Sequence, residues 1–355
     1  MHKNLLSVIL LFFIPGILMS QSNTPKYSNE FLSIGVGARG LGMSGSQVAH
    51  VKDVTSGFWN PAGLTHVESN YEVALMHAEY FAGIAKFDYL AFTTAIDSSN
   101  VIGLSVIRFA VDDIPDTRFL YDANGRINYD NIRFFSAADY AFIFSYARKT
   151  DFIKGLSLGA NFKVVHRTVG NFANAWGFGL DAGAQLAINK WQFGLMLKDI
   201  TTTFNVWSHN SEELEVIYTQ TNNEIPESSI EVTLPKAILG VSRSLEIGKN
   251  FGLLTSLDLD ITFDGKRNVP VKSDFASIDP HMGLELDYIQ TIFLRLGAGN
   301  IQQVKDFDES LSTTFQPNFG VGVKIKKLNI DYAMTDIGDQ AESLYSHVFS
   351  LKVGL

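Results

Sequence analysis

The chain has 355 residues, 46% hydrophobic and 18% charged, with no cysteine and a formal charge of −9. The missing cysteines exclude disulfide frameworks, thiolate metal sites and cysteine nucleophiles, and the negative balance, without a Lys/Arg cluster, excludes a phosphate-binding nucleic-acid face. After the N-terminus no run of 18 or more apolar residues occurs, so helical membrane spans are excluded too.

Residues 1–20 read as an export signal. His2-Lys3 gives a positive start, 5–18 is a largely apolar stretch interrupted by Pro15-Gly16, and cleavage is expected near Ser20. Residues 21–69 follow as a glycine-rich segment without sustained period-2 alternation. It contains Trp59-Asn60-Pro61-Ala62-Gly63-Leu64, in which Asn-Pro before a small residue and glycine reads as a demanding turn. A segment of this size ahead of the first strand suits a hatch, or plug, inside a barrel that would otherwise enclose an open lumen.

From residue 70 to 355 the chain alternates apolar and polar residues in short stretches, among them 70–80, 156–168, 176–188, 251–263, 314–325 and 345–355. A transmembrane strand needs roughly 9–11 residues. Turn-sized connections at 97–100, Asn189-Lys190, Ile289-Gln290 and Lys326-Lys327 alternate with longer ones at 112–138, 199–234, 264–280, 301–313 and 335–344. This rhythm predicts an all-β, antiparallel outer-membrane barrel of about 14 strands, with tight turns on the periplasmic side and long loops outside. A soluble sandwich would share the alternation, so the rhythm, the export signal and the apolar last residue carry the decision. Tyr71, Tyr80, Tyr140, Trp176, Trp191, Tyr288 and Tyr345, near strand ends, suit interfacial girdles.

The side-chain period of two assigns faces. Asp258, Asp260, Glu285 and Asp287 point into the lumen, as does Arg295, and a ladder of acids neutralised by bases outweighs paired-carboxylate catalysis. If Asn189-Lys190 is a two-residue hairpin, Asp181 lies opposite Lys198, with Lys163 level with it on the other side. In the long stretch 199–234, Phe204 and Trp207 beside Glu212, Glu213 and Glu215 are candidate partner contacts of an outer loop. Pro317 is the one visible candidate for a strand break.

Gly35-Val36-Gly37-Ala38-Arg39-Gly40 has the dinucleotide-binding spacing, with Asp53 downstream, but lacks a βαβ context. Gly42-Met43-Ser44-Gly45-Ser46 begins like a nucleophile elbow and ends in serine. His77, His166, His281 and His347 lie on distant strands and form no triad. No catalytic set, metal site or cofactor is therefore expected.

The stretches Phe31-Leu32-Ser33-Ile34-Gly35-Val36-Gly37-Ala38-Arg39, Gly42-Met43 and Trp59 to Leu64 resemble the PorV/PorQ family of outer-membrane proteins of Bacteroidetes, within the wider FadL-like group. So do Asp199-Ile200-Thr201-Thr202-Thr203-Phe204-Asn205, Ser277-Ile278-Asp279-Pro280 and Asp331-Tyr332-Ala333-Met334-Thr335-Asp336. The resemblance implies a 14-stranded barrel with an N-terminal hatch and a non-enzymatic role in type IX secretion. The expected partners are an SprA-type translocon, a PorU-type sortase and cargo carrying C-terminal sorting domains, together with outer-membrane lipid. The alternative, from the wider group, is a transporter of hydrophobic small molecules, with an apolar pocket beside the hatch and a lateral opening.

Overall fold

The computed structural model describes residues 27–122, 124–221, 224, 229–305, 309–335 and 345–355, so the export signal lies outside the described residues. Among the described residues, seventeen strands form one closed antiparallel sheet. They are β1 (Tyr71–Tyr80), β2 (Ala85–Ala95), β3 (Asn100–Asp116), β4 (Arg133–Lys149), β5 (Leu156–Val169), β6 (Ala173–Ile188), β7 (Trp191–Lys198), β8 (Thr203–His209) and β9 (Ser229–Thr233). There follow β10 (Lys236–Ile247), β11 (Phe251–Thr262), β12 (Val271–Lys272), β13 (Ser277–Tyr288), β14 (Ile292–Lys305), β15 (Leu311–Ile325), β16 (Leu328–Thr335) and β17 (Ser346–Gly354). β8 continues the column of β7 along β6, β9 continues that of β10, and β12 is a short ribbon beside β13. Fourteen wall columns remain, and β1 closes on β17 from Glu72↔Gly354 to Glu79↔His347.

Alternation explains the wall. On β6 the outward Trp176, Phe178 and Leu180 are exposed while the intervening Ala175 and Asp181 are buried. Outward rings meet across columns: Phe144, Phe162, Phe178 and Phe204 form a row with centroids 6.2–6.3 Å apart. Tyr71, Trp176, Trp191, Tyr288 and Tyr345 are 41–50% exposed on the wall, as girdle residues should be. Tyr80 is not one of them. It is buried and packs edge-on to Phe87 inside the barrel.

Four expectations need correction. The outer connections are not uniformly long, because 81–84 and 170–172 are tight turns. The stretch predicted as a loop over 112–138 narrows to 117–132, since β3 and β4 pair out to Asp116↔Arg133. The stretch 199–234 is largely regular: it contains β8, a helix at Ser211–Thr221 and β9. Its polar residues read as a loop although they face a lumen. Pro317 breaks nothing; it pairs with Ala298 within β15, beyond the last β15–β16 pair at Phe319↔Met334, and the neighbouring irregularity lies between Gly299 and Gln302. The larger wall break is at 199–202, where β7 ends and β8 begins, with Asp199 and Thr202 at φ 57 and 60.

Candidate functional site

Residues 27–69 run through the lumen. Thr233 Oγ1, on β9, donates to Ser28 Oγ at 3.0 Å, and Asn205 Nδ2 donates to Asn29 Oδ1 at 2.9 Å in the outer half. At the periplasmic end, Thr65 Oγ1 donates to Ser157 Oγ near the start of β5 at 2.8 Å. Between them lie short helical turns at Ala38–Gly42, Ser56–Trp59 and Pro61–His66. Too short to bury a face of their own, they are held by the wall.

The Trp59–Leu64 motif shows how. Trp59 Nε1 donates to Val36 O at 3.0 Å, and its ring meets Phe58 edge-on at 5.0 Å. The Asn60 amide donates to Val48 O within the hatch at 2.9 Å and to Ala184 O of β6 at 3.0 Å, while its oxygen accepts from Ala62 N at 3.2 Å. Pro61 and Ala62 press on the wall where β5 has no side chain: a Cβ on Gly159 would come within 2.5 Å of Ala62 N. Gly63 is equally confined, with Val51 O 2.3 Å from where a Cβ would be. Leu64 fills a separate cluster with Val101 and Ala147. The motif is a docking element, and its glycine-rich neighbourhood needs no nucleotide to explain it.

The lumen charges divide between hatch clamps and wall clusters. Asp258 Oδ2 accepts from both Gln47 N and Val48 N at 2.8 Å, so this acid meets hatch backbone rather than a base. Glu285 takes a two-point contact from Arg39 of the hatch, at 2.8 and 2.9 Å, and a bond from Arg295 at 2.6 Å; Arg295 then reaches Asp331 at 2.7 Å. Burial works against the Arg39 charge, but Glu285 outweighs it and holds the guanidinium more firmly protonated than usual. Asp53 pairs with Lys352 at 2.5 Å; Lys352 and Arg39 overcome burial and hold its carboxyl well below the usual range. Asp260 pairs with Lys236 at 3.3 Å. Asp287 belongs to the rim, where it caps the turn by accepting from Gln290 N at 2.9 Å.

Asp181 is buried in the lumen, 2.8 Å from Lys163. The Ile188↔Trp191 hairpin is the expected one. The other register is not: Lys163 lies level with Gly179, and Asn161 with Asp181, because the β5–β6 turn is centred one residue earlier than expected. Lys163 therefore reaches Asp181 diagonally and also binds Asp199 at 2.5 Å. Lys198 is not the second partner. It lies over the Phe58 ring at 4.3 Å, because the wall breaks at the next residue. That break is built by the Asp199 to Asn205 motif. Asp199 N donates to Asp181 at 2.9 Å, Asp199 accepts from Thr203 Oγ1 at 2.5 Å, and Ile200 N donates to Leu180 O at 2.9 Å.

Phe204 and Trp207 are strand residues, not loop contacts. Phe204 is on the outward face beside Phe178. Trp207 turns into the mouth, donating to Glu231 at 2.9 Å under the Arg167 guanidinium. Arg39, Asp53, Asp331 and Lys352 were not singled out as lumen charges from the sequence. The wall members were findable from period two; the hatch members carry no periodic signal.

Beside the hatch, whose residues help to line both, are two cavities that share the walls Phe58, Lys198, Lys236, Asp260 and His281. One, of about 550 Å³, is lined by Phe31, Ile34, Leu41, Trp59, Tyr80 and Phe109 among others. The other, of about 420 Å³, is more polar, with Lys163, Asp181, Asp264 and Arg267 in its lining. The pair offers an apolar chamber beside a charged one, at the outer side of a docked plug.

No protein-family model and no curated protein matches the chain. Solved structures do. The Pseudomonas putida toluene transporter TodX superposes with a TM-score of 0.58 at 12% identity, over 95% of this chain and 100% of that one. The Ralstonia pickettii toluene transporter TbuX gives 0.53 at 13%, over 90% and 98%. The CymD monoaromatic hydrocarbon channel gives 0.54 at 14%, over 91% and 98%. The likeness shows the fold: a closed antiparallel barrel of the kind these transporters and this channel share.

Proposed function

We propose that this barrel takes up a hydrophobic small molecule with a polar end, holding it in the outward double cavity before it passes the hatch. The single observation that carries this reading is the apolar chamber of about 550 Å³ sharing a wall with a charged one, both lined in part by the plug. Ligand pockets of this kind are mostly apolar with a few placed polar groups. The structural likeness to hydrocarbon transporters supports it. The test uses purified barrel in lipid nanodiscs with toluene and a long-chain alkyl carboxylate as probes. Phe109→Glu, which puts a charge into the apolar chamber, is expected to weaken binding at least tenfold, or ~1.4 kcal/mol. Unchanged binding in that variant, or no binding of either probe to the parent protein, would contradict the reading.

A second reading is favoured by a different observation: the stretches that resemble the type IX family make the plug and its seat. Trp59 to Leu64 docks the hatch, and Asp199 to Asn205 forms the wall break that grips Asn29. On this reading the plug is permanent. The barrel is then a non-enzymatic secretion component that receives sorting-domain cargo beside a translocon and sortase. One variant separates the two readings. Stapling the hatch with Ser28→Cys and Thr233→Cys blocks inward passage in the first and leaves cargo attachment at the cell surface intact in the second.

A further inference from the structure

A barrel wall facing hydrocarbon needs an apolar belt about 25 Å tall. A rise of roughly 3.3 Å per residue and a tilt of about 40° give ~2.5 Å of height per residue. On β6 and β13, far from β1, the belt is complete. Outward residues stay apolar from Tyr288 to Ile278 on β13 and from Ile188 to Trp176 on β6, ten and twelve residues along the strands. On β1, β2 and β3 it stops early. Outward Leu75 is followed by His77 and Glu79, Leu90 is preceded by Asp88 and Lys86, and Val106 is followed by Arg108. His77 is six residues from Tyr71, Asp88 seven from Ala95 and Arg108 eight from Asn100. They therefore sit about 15–20 Å above the periplasmic rim, within the height that β6 and β13 devote to lipid.

These residues form one network on the outside of the barrel. His77 Nδ1 is 2.7 Å from Asp88, Arg108 is 3.2 Å from Asp88, Lys86 is 3.1 Å from Asp112, and His77 Nε2 is 3.7 Å from Glu79. Their side chains are 33–57% exposed. Acyl chains do not solvate such a patch, and the cost of lipid-facing charge rises with depth. Phosphate-bearing lipid headgroups select clusters of Lys and Arg. Here three carboxylates meet two cations and a histidine, a formal sum of −1 with His neutral.

We infer that the outward face of β1–β3 is covered in the membrane by a different integral outer-membrane protein, whose lateral wall presents complementary mixed charge at the same height. This holds under either functional reading, since it concerns the outside of the wall and not the lumen.

The test places a benzoylphenylalanine photocrosslinker at Leu90 or Leu104, which border the patch, or at Leu239 or Leu284 on the far wall, in the full chain in its native outer membrane. The first two positions should capture one and the same integral protein of defined mass, and the last two only lipid. Asp88→Arg should cut that adduct at least tenfold. Where the arginine barrel does not insert, the milder Asp88→Asn should cut it several-fold with the barrel's heat-modifiable migration unchanged. Adducts solely with lipopolysaccharide, with a second copy of this chain, or at all four positions alike would overturn the inference. So would a protein adduct indifferent to both Asp88 variants.

Discussion

Asp258 has two backbone donors of the hatch on one oxygen and no cation beside it, so it acts as a geometric latch. Asp258→Ala leaves Gln47 N and Val48 N unpaired in a buried place, which costs about 1–3 kcal/mol for each group. The expected outcome is a hatch that becomes protease-sensitive while the barrel keeps its heat-modifiable migration. Asp258→Asn, which retains an acceptor, should lose much less. His50 adds a pH dependence. It is buried, and burial followed by the Arg39 charge pushes its pKa from 6.5 down to about 3. The undocked chain binds this proton below about 6.5 and the docked one does not. The His50 contribution to hatch stability is therefore whole above that pH and falls as pH drops towards 3, by up to ~1.4 kcal/mol per unit. Urea midpoints of hatch release measured from pH 7 to 4 should move further downward with acid in the parent than in His50→Gln, and equal pH dependence in the two would contradict the assignment. Of these two residues, only Asp258 was legible, because period two places it inward. His50 is on a segment without a period, and nothing in its neighbours announces that it is enclosed.

At the scale of elements, the break between β7 and β8 is where the wall is most specifically built. Lys163 binds Asp181 and Asp199 at once, and Asp199 also receives Thr203. Asp199→Ala removes one counter-charge from a buried ammonium and should destabilise the barrel by roughly 3 kcal/mol, read as a lowered urea midpoint. Asp199→Asn keeps an acceptor for Thr203 and should fall between the two. Strand existence was legible here and elsewhere from alternation and from the turn at Asn189-Lys190. The 199–234 region was misread because Thr201, Thr202, Thr203 and Asn205 look like a polar loop. In a plugged barrel an inward polar residue meets the hatch, as Asn205 meets Asn29. The β5–β6 register was missed by two residues because only coordinates fix where a three-residue turn is centred.

For the whole molecule, the wall and the plug are one structure. The wall supplies acids, bases and bare glycine backbone, and the hatch supplies a chain that could not fold alone. Strand number could be read from the rhythm of turns. The seating of the plug could not, since its contacts join residues up to 312 positions apart, as Ala38 N to Ser350 Oγ at 3.1 Å. The chain has no native cysteine, so introduced thiols report on seating without background. The most direct measurement takes two pairs: Ser28→Cys with Thr233→Cys in the outer half, and Thr65→Cys with Ser157→Cys at the periplasmic end. The hydroxyl separations of 3.0 and 2.8 Å bring each pair within disulfide reach. Both pairs should oxidise in the native membrane and resist a thiol reagent added from the periplasmic side. Free, readily labelled thiols in both pairs of an intact barrel would contradict a plug that threads the lumen from end to end.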